Sequence, residues 1–287
     1  MFNKYNLSFL ALYLMIVLFL FFLYPVNPTA FEFSFISIKW YGILFVLTLF
    51  IARFKLLSDI KRINPSFAHD ETDILLIFTF AGMIVGARLL YVFVYKDDSL
   101  DYFLNPLKIL NLTEGGLSFH GGLIGLIVGA FLFCKKYKVK FLKCMDVIAL
   151  AAPIGLAEGR LGNFINGELW GKVTNSPVGV VFASGGPFAR HPTQLYESFL
   201  EGVVLFFILK AFSLKQRKDG SVCGMFLIMY SIFRFSIEFI REPDYNLGYL
   251  AWGWLTMGQI LCVPMSIVGV SLIFFRNKNL ISNKAIV

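Results

Sequence analysis

The feature that most constrains this chain is that its apolar residues come in long unbroken runs, near residues 7 to 24, 41 to 57, 73 to 95, 120 to 134, 145 to 162, 194 to 212, 221 to 241 and 256 to 275. About 20 such residues carry a helix across a hydrocarbon core. A lipid-facing barrel would alternate apolar and polar residues at every second position, and no such alternation is visible. Since every backbone polar group inside a bilayer must be bonded internally, helices remain. With 57% hydrophobic and 15% charged residues and a mean hydropathy of +0.72, the chain lies far from the composition of soluble domains, which excludes a soluble globular protein. The expectation is an all-α polytopic membrane protein. It is a helical bundle of seven transmembrane helices plus an extra N-terminal hydrophobic helix, with small periplasmic loops.

The net charge of +8 would suit nucleic acid only on a basic soluble face, so the positions of the charges decide. They gather in alternate connections: Arg53, Lys55, Lys61 and Arg62; Lys135, Lys136, Lys138, Lys140 and Lys143; Lys210, Lys215, Arg217 and Lys218; then Arg276, Lys278 and Lys284. By the positive-inside rule these are cytoplasmic, and the connections near 96 to 119, 163 to 193 and 242 to 255 face outward. Nucleic acid is therefore not an expected partner; the bilayer is. Lys4, the run Leu7 to Tyr24 and Pro25 read as a signal anchor or a signal peptide, with an uncleaved span preferred. Three segments follow: an extension over 1–35, a membrane-embedded bundle over 36–275 and a cytoplasmic tail over 276–287. Cys134, Cys144, Cys223 and Cys262 have no metal-ligand spacing and read as reduced bystanders. Gly121, Gly125 and Gly129, four residues apart, read as a stripe that admits a neighbouring helix.

A charged side chain in a span is costly and faces a bundle interior or a water-filled cavity. Arg88, Arg160, Arg234 and Arg241 qualify. At 1.5 Å per residue, the first three come out roughly 20 Å from the cytoplasmic side, a level shared by Tyr41 and His120 at the starts of their helices. On the last but one span, Tyr230, Arg234, Glu238 and Arg241 fall within an arc of roughly 80°. The stripe either faces a ligand or holds an internal Arg234–Glu238 pair, and Arg241 has the option of snorkelling to the interface. Gly159 to Glu168, with Asn163 and Asn166, reads as a loop able to close over a ligand or as a glycine-capped helix end. Glu197, in His191 to Glu197, suits a buried counter-charge as well as direct chemistry. Guanidinium groups in low dielectric match phosphate in two-point fashion, so a phospholipid head group is the natural guest. His120 is the one well-placed candidate base, though a histidine at a helix start also serves as a cap. No P-loop, zinc motif, Gly-x-Ser-x-Gly elbow or dinucleotide fingerprint appears, so nucleotide, metal and serine-hydrolase chemistry lack support.

Taken in order, Trp40-Tyr41-Gly42, Gly86-Ala87-Arg88, Ser118 to Gly122, Gly159 to Gly171, His191 to Glu197 and Phe233 to Asp244 make the chain resemble the prolipoprotein diacylglyceryl transferase family over roughly residues 36 to 275. The resemblance implies a multi-pass enzyme of the bacterial inner membrane with its site towards the periplasm. It also implies that Tyr41, His120, Arg160, Asn163, Glu168, Tyr230 and Arg234 occupy functional positions. The implied partners are phosphatidylglycerol and the lipobox segment of a preprolipoprotein. In the implied reaction the diacylglyceryl group passes to the lipobox cysteine thiol, giving a thioether and glycerol phosphate. His120, Arg160 and Arg234 are then the expected catalytic residues; Tyr41, Arg88, Asn163, Asn166, Glu168, Tyr230, Glu238 and Arg241 are expected to bind substrate. An anion transporter would need polar access from both faces. The inner halves Leu44 to Thr48, Leu123 to Phe133 and Val203 to Ile208 are nearly all apolar, which disfavours it. A non-catalytic lipid-binding scaffold is disfavoured equally.

Overall fold

The computed structural model describes residues 69–95, 116–243 and 248–274 without interruption, with shorter pieces between 13 and 53 and between 102 and 109. The described elements are mostly helical. They comprise a short antiparallel pair β1 (Thr29–Glu32) and β2 (Ser37–Lys39), then α1 (His69–Leu90), which widens into a π turn over Tyr91–Tyr95, α2 (Phe119–Tyr137) and α3 (Phe141–Asn166). Next come α4 (Thr193–Glu197), a π stretch over Ser198–Val204 and α5 (Leu205–Phe212) in one continuous rod, then α6 (Ser221–Ile237) and α7 (Met257–Phe274). Among the described residues, three helices are long and apolar enough to cross a membrane: Glu71–Val94, Phe119–Tyr137 and Met257–Phe274. Most of the first two expected spans, 7 to 24 and 41 to 57, lies outside the described residues. The β pair was not anticipated; strands of four and three residues are too short to show a period in an apolar background.

The chain forms two compact units, residues 1–55 with 148–287, and residues 56–147. In the second, α1 and α2 run antiparallel with glycine against glycine. A Cβ at Gly125 would overlap the carbonyl oxygen of Gly82, one at Gly121 that of Gly86, and one at Gly129 that of Phe78. The glycine stripe therefore does what its spacing implied: it brings two backbones together where no side chain fits. Gly125→Leu is expected to destabilise the protein by about 1–3 kcal/mol through overpacking, read as a lowered unfolding temperature in detergent; an unchanged temperature would contradict the close approach.

In the first unit, α3 packs on the 193–212 rod. Gly202 lies against Ala157, and Ser198 Oγ donates to the Ala157 carbonyl at 2.7 Å while accepting from Tyr13 at 2.7 Å. Leu161, Phe164, Phe182, Leu195 and Val203 form the apolar core around this seam. Helices α6 and α7 cross where Gly224 and Gly269 meet, a Cβ on either lying 2.7 Å from the other's carbonyl oxygen. Helix α6 ends at Ile237, earlier than its hydropathy implies. The chain then turns over 238–240, so Arg241 stands outside the helix.

Candidate active site

Arg160 on α3, Glu197 and Glu201 on the 193–212 rod, and Arg234, Glu238 and Arg241 on and after α6 form one charged network inside the first unit. Glu197 is its centre. Its Oε2 lies 2.8 Å from Arg160 Nε, and its Oε1 accepts from Arg234 Nη1 at 2.7 Å and Arg241 Nη1 at 3.1 Å. Glu201 Oε2 stands 3.6 Å from Arg160 Nη2, and Glu238 Oε2 stands 2.8 Å from Arg234 Nη2. Three guanidinium groups thus face three carboxylates, a formal balance that removes the need for an outside anion to neutralise the arginines. Tyr230, stacked on Phe226 with ring centroids 5.8 Å apart, lies within electrostatic reach of Arg160, Glu201 and Arg234.

The network is built in layers. The Glu197 and Glu201 side chains are 0% exposed, whereas those of Arg160 and Arg234 keep 17% and 14%. The carboxylates form a floor, and two guanidinium groups present an edge away from it. Among the described residues, Arg160 Nη1 and Arg234 Nε have no bonded partner. The chain supplies this arrangement by placing Glu197 and Glu201 four residues apart on one helical face, where the turn widens to π geometry, a form frequent at functional sites.

Around the carboxyl end of α3, Asn163 Nδ2 and Asn166 Nδ2 both donate to Glu168 Oε1, at 2.8 and 3.2 Å. Of the two readings of residues 159–168, the helix end is the one realised. Gly167, with φ +67, follows the last helical residue. Its N–H reaches the Phe164 carbonyl and that of Glu168 the Asn163 carbonyl, a glycine-capped Schellman end. In place of a loop able to close over a ligand, the segment is helix up to Asn166. Beyond it, the 167–192 segment is tied down by Arg190, whose guanidinium stacks on Trp170 at 4.0 Å and bonds Glu242 Oε2 at 2.9 Å.

The expected site residues divide between the units. Arg160, Asn163, Asn166, Glu168, Tyr230, Arg234, Glu238 and Arg241 belong to the first. Arg88 and His120 belong to the second, and Tyr41 lies outside the described residues. Arg88 is buried and donates to the carbonyls of Ile109, Gly116 and Lys108 at 2.9, 3.1 and 3.3 Å, a set of bonds that fastens the segment before α2. His120 is exposed in the first turn of α2. That turn is capped by Ser118, whose N–H bonds the Ala87 carbonyl, so His120 and Arg88 occupy the same end of the α1–α2 pair. Arg241 does not snorkel: it is 5% exposed and bound to Glu197.

Glu197 is legible in the sequence as a counter-charge, whereas Glu201 belongs to none of the motifs and emerges only in the structure. The rule that flags a buried arginine flags a glutamate four residues from another in the same apolar run. Among the described residues no group of His, Cys, Asp and Glu is arranged to hold a metal ion.

A model of the family described as prolipoprotein diacylglyceryl transferase matches residues 28–275, beginning slightly before the span delimited by the motifs. The chain is 47% identical over 250 residues to a phosphatidylglycerol–prolipoprotein diacylglyceryl transferase of Pseudomonas paraeruginosa, covering 87% of this chain and 93% of that protein. It is 46% identical over 258 residues to the protein of that name from Oleidesulfovibrio alaskensis, covering 89% and 96% respectively.

Proposed function

From the premise that the chain belongs to the prolipoprotein diacylglyceryl transferase family, a family of membrane proteins, and is a transferase, we propose that it moves the diacylglyceryl group of phosphatidylglycerol onto the lipobox cysteine of a preprolipoprotein. The cysteine sulfur attacks the glyceryl carbon that carries the phosphate oxygen; a C–S bond forms, the C–O bond breaks, and glycerol phosphate departs with the electron pair. The observation that carries the reading is the pair of partly exposed guanidinium groups, Arg160 and Arg234, held on a buried carboxylate floor by Glu197.

Because the floor balances the arginines' formal charge, the phosphate is selected by directed N–H groups. Arg160 and Arg234 stabilise the charge that grows on the leaving oxygen; one such preorganised donor is worth roughly 3 to 4 kcal/mol. Arg241 and Glu238 keep the two guanidinium groups in position, and Tyr230 lies beside them on α6. Asn163 and Asn166 hold the Glu168 carboxylate just beyond the end of α3, the helix that carries Arg160, and with Tyr41 they complete the substrate-binding set. Arg88 contributes by fastening the segment that leads into His120. A thiol is only a few per cent thiolate at pH 7, so a base near the sulfur raises the nucleophile's concentration, and His120 takes that proton or orients the thiol.

The protein works as a bundle of seven spans plus an amino-terminal hydrophobic helix, in the inner membrane, with Lys136 and Lys215 towards the cytoplasm and the site towards the periplasm. The reaction requires no cofactor. Incubating the purified protein with phosphatidylglycerol and a lipobox peptide is expected to add the mass of one diacylglyceryl group to the peptide cysteine. An unchanged peptide mass with folded protein would overturn the reading.

A further inference from the structure

The amino end of α7 carries a device that the proposed chemistry has not used. Thr256 precedes the helix and Gln259 lies three residues on. Gln259 Oε1 accepts from the Thr256 N–H at 3.0 Å, and Thr256 Oγ1 accepts from the Gln259 N–H at 3.4 Å. This is a reciprocal capping box. The Thr256 hydroxyl hydrogen points elsewhere: it is donated to Glu238 Oε1 at 2.9 Å, while the other oxygen of that carboxylate holds Arg234 Nη2 at 2.8 Å. Between the two capping residues, a Cβ built on Gly258 would stand 2.9 Å from Glu238 Oε1 and 3.3 Å from Arg234 Nη2. The carboxylate and guanidinium therefore rest on the bare backbone of Gly258. Thr256, Gln259 and Glu238 are 3%, 0% and 5% exposed, so this contact has little water to soften it.

We infer that Thr256 and Gly258 are positioning residues for the transfer reaction: Thr256 holds the Glu238 oxygen that does not meet the guanidinium, the Gly258 backbone seats both groups, and together they set the orientation of Arg234. The inference rests on the role proposed above for Arg234. Its physical basis is the helix register. The Gly224–Gly269 crossing brings α6 and α7 into contact, and the same antiparallel register, followed to the other end of the pair, sets Thr256 against Glu238. A carboxylate at a helix amino end is also favoured by the helix dipole and by the unpaired N–H groups there. Arg234, which meets Glu197 on the 193–212 rod and Glu238 at the end of its own helix, is thus tied to α7 through the Thr256 hydroxyl and the Gly258 backbone.

A capping role and a positioning role predict different results. Aspartate is as good a helix cap as threonine, yet it has no hydrogen to give Glu238 and sets a like charge beside it. Thr256→Asp is therefore expected to lose roughly a hundredfold in kcat, Thr256→Val roughly tenfold, and Thr256→Ser little, with the KM for phosphatidylglycerol moving less than kcat in each. On an Arg234→Lys background, Thr256→Val should add almost nothing, because its effect passes through the guanidinium. Gly258→Ala, which leaves the cap intact, should mimic Thr256→Val. Activity of Thr256→Asp close to that of Thr256→Ser would overturn the inference, as would losses that multiply on the Arg234→Lys background.

The unfolding temperature in detergent provides a readout independent of transfer. The shifts caused by Thr256→Val and Glu238→Gln should combine to less than their sum if the hydroxyl and the carboxylate are coupled; additive shifts would overturn the inference. Absence of transfer by the unaltered protein would instead sink the proposed function and leave this thermal coupling to decide the positioning role.

Discussion

Glu197→Gln is expected to destabilise the protein by about 3–5 kcal/mol, the cost of leaving a buried charge without its partner. One carboxylate holds Arg160, Arg234 and Arg241 at 2.8, 2.7 and 3.1 Å, and the amide has one acceptor oxygen and no charge to offer three guanidinium groups. The two remaining carboxylates, Glu201 and Glu238, are poor substitutes, because Glu201 reaches Arg160 only at 3.6 Å and Glu238 is already engaged by Arg234 at 2.8 Å. Unfolding in detergent should show a clearly lowered midpoint, and transfer should fall with it. Adding Arg241→Gln removes one excess positive charge and should recover part of the stability without restoring full activity. A midpoint unchanged by Glu197→Gln would mean that the arginines are solvated well enough to stand alone, against their low exposure.

Arg234→Lys is expected to slow transfer by roughly two to three orders of magnitude while the protein stays folded, the effect of losing one well-placed donor worth roughly 3 to 4 kcal/mol. Lysine retains the charge but offers a single ammonium, whereas the guanidinium spans Glu197 on one helix and Glu238 on its own with two different nitrogens. Arg234→Gln combined with Glu238→Gln separates charge balance from catalysis. The pair is removed together, leaving Glu197 with Arg160 and Arg241. If Arg234 served only to neutralise Glu238, the double variant would regain activity. The leaving-group role predicts that it remains inactive, since nothing at that place then balances the charge on the departing glycerol phosphate. Near wild-type transfer by Arg234→Lys, measured with labelled phosphatidylglycerol at matched protein levels, would remove Arg234 from the mechanism.

The runs of apolar residues fixed the helical class, and the spacing of Gly121, Gly125 and Gly129 already announced a face made for close packing, because both signals are local and periodic. Single arginines in apolar runs likewise marked Arg160 and Arg234, since a charge in such a place demands a reason. What periodicity could not provide was partnership. A sequence does not reveal which carboxylate meets which guanidinium across helices far apart in the chain, so the arginines alone suggested an excess of positive charge waiting for an anion. Tertiary packing decided otherwise: Glu197, 37 residues from Arg160 and from Arg234, lies between them and Arg241 and turns an apparent anion trap into a balanced scaffold with two exposed guanidinium edges. Packing also separated residues of similar sequence appearance. It sent Arg88 to backbone carbonyls and Arg241 to a carboxylate, and it set Thr256 against Glu238, because the direction of a buried polar side chain is fixed by whichever neighbour satisfies it.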